Sequence, residues 1–264
     1  MAIHELKKDF IERFKIDKFF KEEAVGGQKS VHFVEIGGEK FAMKLLRSSG
    51  FDERVARELE IYEKFKHIDG IPTICRTEIY QNHLIVFEEY IEGETLANIV
   101  NTFNGDYQKV TKLIKSICEI MKPIWKAGFI HRDIKPENII MRTNGNPVLL
   151  DFGIARDTFN SSLTATGLQP FSWQFGSPEQ YAGKKELISY RTDYFSLGVL
   201  AYFLYYQELP FGKTKLEIES KFNLKQQDFG IKSNSELSNF FFESMRFSPA
   251  ERPRLIEDLI NLLP

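Results

Sequence analysis

The sequence predicts an α+β chain in two unequal lobes, a small antiparallel-sheet lobe with one main helix followed by a larger helical lobe. Three observations carry this. Between residues 19 and 90 the pattern is strand-like around one helix, with a Gly37-Gly38 hairpin signal between two of the runs. From residue 95 onward the apolar spacing turns helical. The 264 residues are 42% hydrophobic and 27% charged, the make-up of an ordinary globular protein. A chain of this length buries a large core, either as one domain or as two lobes around a cleft, and two lobes suit the patterning.

Each element follows from its local pattern. Residues 3–14 place Ile3, Leu6, Phe10, Ile11 and Phe14 near one helical face, which predicts a short lead-in helix within 1–18 whose role is packing. The runs VHFVEI, EKFAMKLL and HLIVFEEY read as strands, and 51–65 as a helix with charged residues on its outer face. Beyond residue 95, short strands are expected near 138–141 and 148–150, and helices around 193–206, 235–245 and 254–263. No internal repeat, low-complexity tract or linker-like composition interrupts the chain, so 19–264 reads as one continuous module. The longest nearly uninterrupted apolar stretch, 194–206, is 13 residues, short of the roughly 18–20 a membrane-spanning helix needs, and predicts a buried core helix.

Thirty-five Lys and Arg against 37 Asp and Glu leave a net charge of −2, a balance that points to neither a nucleic-acid nor a membrane partner. Cys75 and Cys118 are too few for a disulfide framework and lie in no metal-binding cluster, so they read as reduced thiols. The opening MAIHELKKDFIERF has no apolar signal-peptide core. Together these predict a cytoplasmic protein.

The chemistry is concentrated in His131-Arg-Asp-Ile-Lys-Pro-Glu-Asn138, followed 13 residues after Asn138 by Asp151-Phe-Gly153. A carboxylate at Asp133 can accept a proton from a hydroxyl nucleophile, and Lys135 can neutralise charge on a transferring phosphoryl group. Asn138 and Asp151 supply hard oxygens suited to Mg2+, which prefers to be held between a carboxylate and substrate phosphates.

These motifs resemble the catalytic loop and metal-binding motif of eukaryotic-type serine/threonine protein kinases, with a bacterial flavour in the GG-x3-V loop. The resemblance covers about 19–263 and implies a small lobe at about 19–88, a hinge at 89–93 and a large lobe at 94–264. It makes ATP the cofactor, with Mg2+, and makes protein Ser/Thr hydroxyls the acceptors. Lys44, in Phe41-Ala-Met-Lys44, matches the Lys that reaches the α and β phosphates, with Glu58 of the following helix as its partner. Glu60 is the rival, about 200° around that helix, and His67, nine residues after Glu58, favours Glu58. Gly26, Gly27, Val31, Ala42 and Ile140 fall at nucleotide-contacting positions, and backbone groups of Glu89 and Ile91 at adenine-binding ones. Ala24 and Lys29 stand where glycines are usual in the phosphate-covering loop. At the position lining the back of the adenine pocket, where kinases usually carry an apolar residue or Thr, either Glu88 is present or a bulge brings Phe87 there.

The same resemblance makes 151–179 an activation segment. Thr158, Ser161, Ser162, Thr164 and Thr166 are candidate autophosphorylation sites that would engage Arg132. Ser172 is structural, Glu179 pairs with Arg252, and Asp193 holds the catalytic-loop backbone unless it is simply an N-cap. The competing function classes are a pseudokinase scaffold, against which Lys44, Asp133 and Asp151 all stand, and a kinase-like small-molecule phosphotransferase, against which Arg132, Lys135 and the Ser177-Pro-Glu179 ending stand.

Overall fold

The computed structural model describes residues 8–25, 29–46, 53–81, 83–152, 173–223 and 231–264, apart from the side chains of 23–25, 29 and 53–58. They divide into two units, Met1–Glu92 and Gly93–Pro264. Gly26, Gly27, Gly153, Ser172 and the serines and threonines between 158 and 166 lie outside the described residues.

The first unit runs α1 (Lys8–Phe14), β1 (Lys18–Val25), β2 (Lys29–Ile36), β3 (Glu39–Leu46), α2 (Glu53–Phe65), β4 (Ile74–Tyr80) and β5 (His83–Glu89). Its strands form one antiparallel sheet in the order β1-β2-β3-β5-β4. The β2–β3 hairpin closes between Ile36 and Glu39, and both intervening glycines have positive φ, 61° at Gly37 and 82° at Gly38. That is the mirror-image two-residue turn whose twist matches the flanking strands, and it needs residues that tolerate the left-handed region. The hairpin register then sets the faces of β3. Met43 and Leu45 point into a core with Val34, Ile85 and Phe87, while Ala42 and Lys44 face the other way.

The lead-in helix forms as α1, and its buried residues belong to this same core. Phe10 and Phe14 are 2% and 3% exposed and join the cluster beside Ile16. The Phe14 and Phe87 rings lie 5.7 Å apart, and the Tyr80 hydroxyl donates to Asp9 at 2.7 Å, tying α1 to β4.

The parity of β5 decides which of Glu88 and Phe87 faces the Lys44 side. β3 pairs with β5 without a shift from Phe41↔Glu89 to Leu45↔Ile85. The irregularity lies instead in β4, between Ile74 and Arg76. Phe87 therefore packs against α1, and Glu88 faces the side of Ala42 and Lys44.

The second unit runs β6 (Gly93–Thr95), α3 (Leu96–Ile99), α4 (Tyr107–Lys126), β7 (Ile139–Arg142), β8 (Pro147–Leu149), α5 (Pro178–Tyr181), α6 (Tyr190–Tyr206), α7 (Lys215–Asn223), α8 (Ser238–Ser244) and α9 (Ile256–Ile260). β6, β7 and β8 make a small antiparallel sheet in that order. The long apolar run becomes α6, buried all round, with Phe195, Leu197, Val199, Leu200, Ala201 and Leu204 fully covered. It packs closely on α8, since a Cβ at Gly198 would come within 2.2 Å of Ser244 Oγ. Among the described residues no helix is long and apolar enough to cross a membrane.

Candidate active site

In the second unit the chemistry-bearing loop begins just after α4, and its backbone is held from below by α6. Asp193, completely buried, accepts three N–H bonds, each 2.8 Å long: from the indole of Trp125 and the backbone of His131 at Oδ2, and from the backbone of Arg132 at Oδ1. Burial pushes its carboxyl above the usual range, and these donors work against that push by favouring the ionised form. The helix cap is Ser189, whose hydroxyl accepts from the Arg191 N–H, so Asp193 serves the loop and not the helix end.

The clamp holds a strained residue. Arg132 has φ 68°, a conformation costing on the order of 1–3 kcal/mol for a residue with a Cβ. Its N–H is fixed by Asp193, and its carbonyl accepts from Gln180 Nε2 at 2.9 Å. Its side chain stays exposed.

His131 braces the loop against the next strand end. Nδ1 accepts from the Asp133 N–H at 3.3 Å and Nε2 donates to the Leu150 carbonyl at 3.1 Å, which defines a neutral ring with its proton on Nε2. Burial pushes the His131 pKa down, consistent with that neutral form. The ring also packs on Phe152, with centroids 4.8 Å apart.

These braces bring the sequence-predicted residues together. Asp133 Oδ2 lies 3.0 Å from the Lys135 ammonium and accepts from Asn138 Nδ2 at 2.9 Å, and the same amide donates to the Asp133 carbonyl at 2.8 Å. Both Asn138 donors are thus turned to Asp133, which puts its carbonyl oxygen on the opposite edge of the amide. The Leu150 N–H donates to the backbone carbonyl of Asn138 at 2.8 Å, so Asp151 emerges next to Asn138, with φ 62°. Among the described residues no three His, Cys, Asp or Glu side chains form a metal cluster. One carboxylate and one carboxamide, completed by phosphate oxygens and water, are nevertheless the hard set magnesium accepts, so the residues present fit that ion. Ile140, the nucleotide-contacting candidate of this unit, sits half-buried on β7 opposite Val148.

The expected pair of Glu179 and Arg252 is present and bidentate, at 2.7 and 2.8 Å, with both side chains buried. The Thr192 hydroxyl also donates to Glu179, and the remaining Arg252 donors reach the carbonyls of Arg191, Arg246 and Phe247. Sequence reasoning missed Trp125 and Gln180. Nothing in an apolar helix marks one indole as a carboxylate donor, but Ser177 and Gln180 stand at capping-box spacing, and the Ser177 N–H does donate to Gln180 Oε1 at 3.0 Å.

In the first unit Val31, Ala42 and Lys44 share one face of the sheet, with Val31 directly across from Lys44. The Lys44 ammonium lies 2.6 Å from Glu88 Oε1, both side chains almost fully covered, and 6.0 Å from the ring centre of Tyr62 on α2. Glu58 is on α2 as expected, one turn before Tyr62, and its side chain lies outside the described residues. In the segment expected as the hinge, the Glu89 N–H donates to the Thr73 carbonyl at 2.9 Å and its carboxylate accepts from the Thr73 N–H, which leaves the Glu89 carbonyl as its adenine-binding candidate. Ile91 is buried.

A probable serine/threonine-protein kinase of Corynebacterium efficiens is 31% identical over 202 residues, covering 72% of this chain and 29% of the relative. The serine/threonine-protein kinase PknB of Mycolicibacterium smegmatis is 38% identical over 201 residues, covering 70% and 32%. The probable serine/threonine-protein kinase PknB of Lactococcus lactis is 29% identical over 219 residues, covering 78% and 34%. The chain spans about a third of the length of these curated relatives. The protein kinase domain model matches residues 29–263 and so runs through every loop described above, from Lys44 to Arg252; the chain belongs to the protein kinase domain family.

Proposed function

We propose that this chain is a serine/threonine protein kinase that transfers the γ-phosphate of ATP to protein hydroxyls in the cytoplasm. The observation that carries the reading is the convergence on Asp133 Oδ2 of the Lys135 ammonium and the Asn138 amide, on a loop whose backbone is fixed by Asp193. A carboxylate accepts at about four lone-pair sites, so a substrate hydroxyl can be added to these donors. Asp133 then orients that hydroxyl and takes its proton as the new P–O bond forms and the bond from the γ-phosphorus to the β–γ bridging oxygen breaks to release ADP, while Lys135 offsets the negative charge of the group in transit. Asn138 and Asp151 would hold Mg2+, which when bound neutralises phosphate charge. Lys44 takes the phosphates, and Val31, Ala42, Ile140 and the backbone of Glu89 and Ile91 take the nucleoside, with Gly26 and Gly27 in the loop over the phosphates. The serine/threonine kinases among the relatives support the choice of acceptor.

Autophosphorylation between Thr158 and Thr166 belongs to the same proposal. The exposed guanidinium of Arg132 on a clamped backbone suits a phosphate from that segment. Incubation with ATP, Mg2+ and a generic protein substrate should label Ser or Thr of the substrate, and mass spectrometry should find phosphate within 158–166. Asp133→Asn should keep nucleotide binding and lower turnover by about two orders of magnitude or more. Wild-type protein that transfers no phosphate, or an Asp133→Asn chain with full turnover, overturns the assignment.

A further inference from the structure

We infer that Glu88 sets nucleotide affinity by competing with the phosphates for the Lys44 ammonium. The inference rests on the kinase reading and adds to it a role, acting through Lys44, for the residue expected at the back of the adenine pocket. Its basis is geometric. β5 pairs with β3 without a shift, so Glu88 emerges on the Lys44 side, with Ala42 opposite it and Val86 opposite Lys44. From there its carboxylate reaches Lys44 at 2.6 Å, with the two side chains 2% and 4% exposed.

A buried ion pair is screened little by salt, and its two charges cancel at any distance beyond the pair itself. A polyphosphate approaching Lys44 therefore meets a nearly neutral pair in place of a bare cation, and must draw the ammonium away from Glu88 to gain its full attraction. The face of Tyr62, 6.0 Å from the ammonium, offers a weaker attraction for the same charge on the α2 side. Glu88 is thus a positioning residue acting through Lys44.

Glu88→Gln tests this, because it keeps the size and the acceptor oxygen and deletes the charge. Titration calorimetry with Mg-ADP should show affinity raised about tenfold, the effect of removing one nearby opposing charge at an effective dielectric typical of proteins. The KM for ATP should fall in parallel without a rise in kcat. Adenosine, which lacks phosphates, should bind wild type and variant alike. Mg-ADP affinity that is unchanged or weaker in the variant overturns the inference, and so does an equal gain for adenosine, which would show that Glu88 acts on the nucleoside and not through Lys44. If Glu88→Gln loses its fold, Glu88→Asp carries the test. It keeps the charge but shortens the reach, so Mg-ADP should bind about twofold tighter, and wild-type affinity in that variant overturns the competition. Wild-type protein that binds no Mg-ADP at all defeats the kinase reading itself, before any change at 88.

Discussion

Asp193 accepts from Trp125, His131 and Arg132 without touching water. Each of those N–H groups would be left buried and unpaired by Asp193→Ala, at about 1–3 kcal/mol apiece, so the variant should lose about 3 kcal/mol or more in chemical denaturation. It should also release the φ 68° strain at Arg132 and lose transfer activity in whatever fraction stays folded. Arg252→Lys makes a parallel case: an ammonium cannot reproduce the two-pronged grip on Glu179 together with three carbonyl contacts, and a loss of about 3 kcal/mol or more is expected by the same measurement. Asp193 also marks the limit of reading from sequence. A carboxylate near a helix start serves a cap or a distant loop equally well, and only the position of Ser189 tells the two apart. Glu88 was open for a similar reason, since a one-residue bulge in its own strand would have exchanged its face with that of Phe87.

Among elements, the central strands were legible and the edge strands were not singled out. β2 alternates because one of its faces meets the Phe10–Phe14 core, β3 and β5 are legible as apolar runs buried on both faces, and the glycine turn fixes the β2–β3 register. β1 and β4 lie at the two edges of the sheet, and the burial along β4 is shallow and interrupted by its bulge, so its apolar period is weak. α1 was readable from Phe10 and Phe14, although not which sheet face it would cover. Two variants test these elements. Phe14→Ala should cost about 3–5 kcal/mol, as expected for emptying a buried aromatic site, showing that α1 belongs to the folding unit and is no appendage. Gly38→Ala should cost about 1–2 kcal/mol through the left-handed backbone alone, since a Cβ there meets no atom within 4 Å.

For the molecule as a whole, the loop that carries the chemistry also gives stability a pH dependence. The depressed pKa of His131 means that the unfolded chain takes up a proton, near the ordinary value of 6.5, that the folded chain refuses. Its contribution is present above that pH and is lost as pH falls below it. Asp193, shifted upward, has the opposite sign, binding its proton more tightly when folded, so its contribution grows as pH falls toward the carboxylate range. Melting temperature should therefore fall between pH 7.5 and 5.5, and His131→Gln should flatten that slope. Identical slopes in the two proteins would remove His131 as the source. A second consequence is mechanical. Gln180 grips the carbonyl of Arg132, next to Asp133, while its neighbour Glu179 is riveted to Arg252. The four-residue helix α5 is in effect a lever with its fulcrum at that rivet, so a load on its exposed side is passed to the backbone beside Asp133.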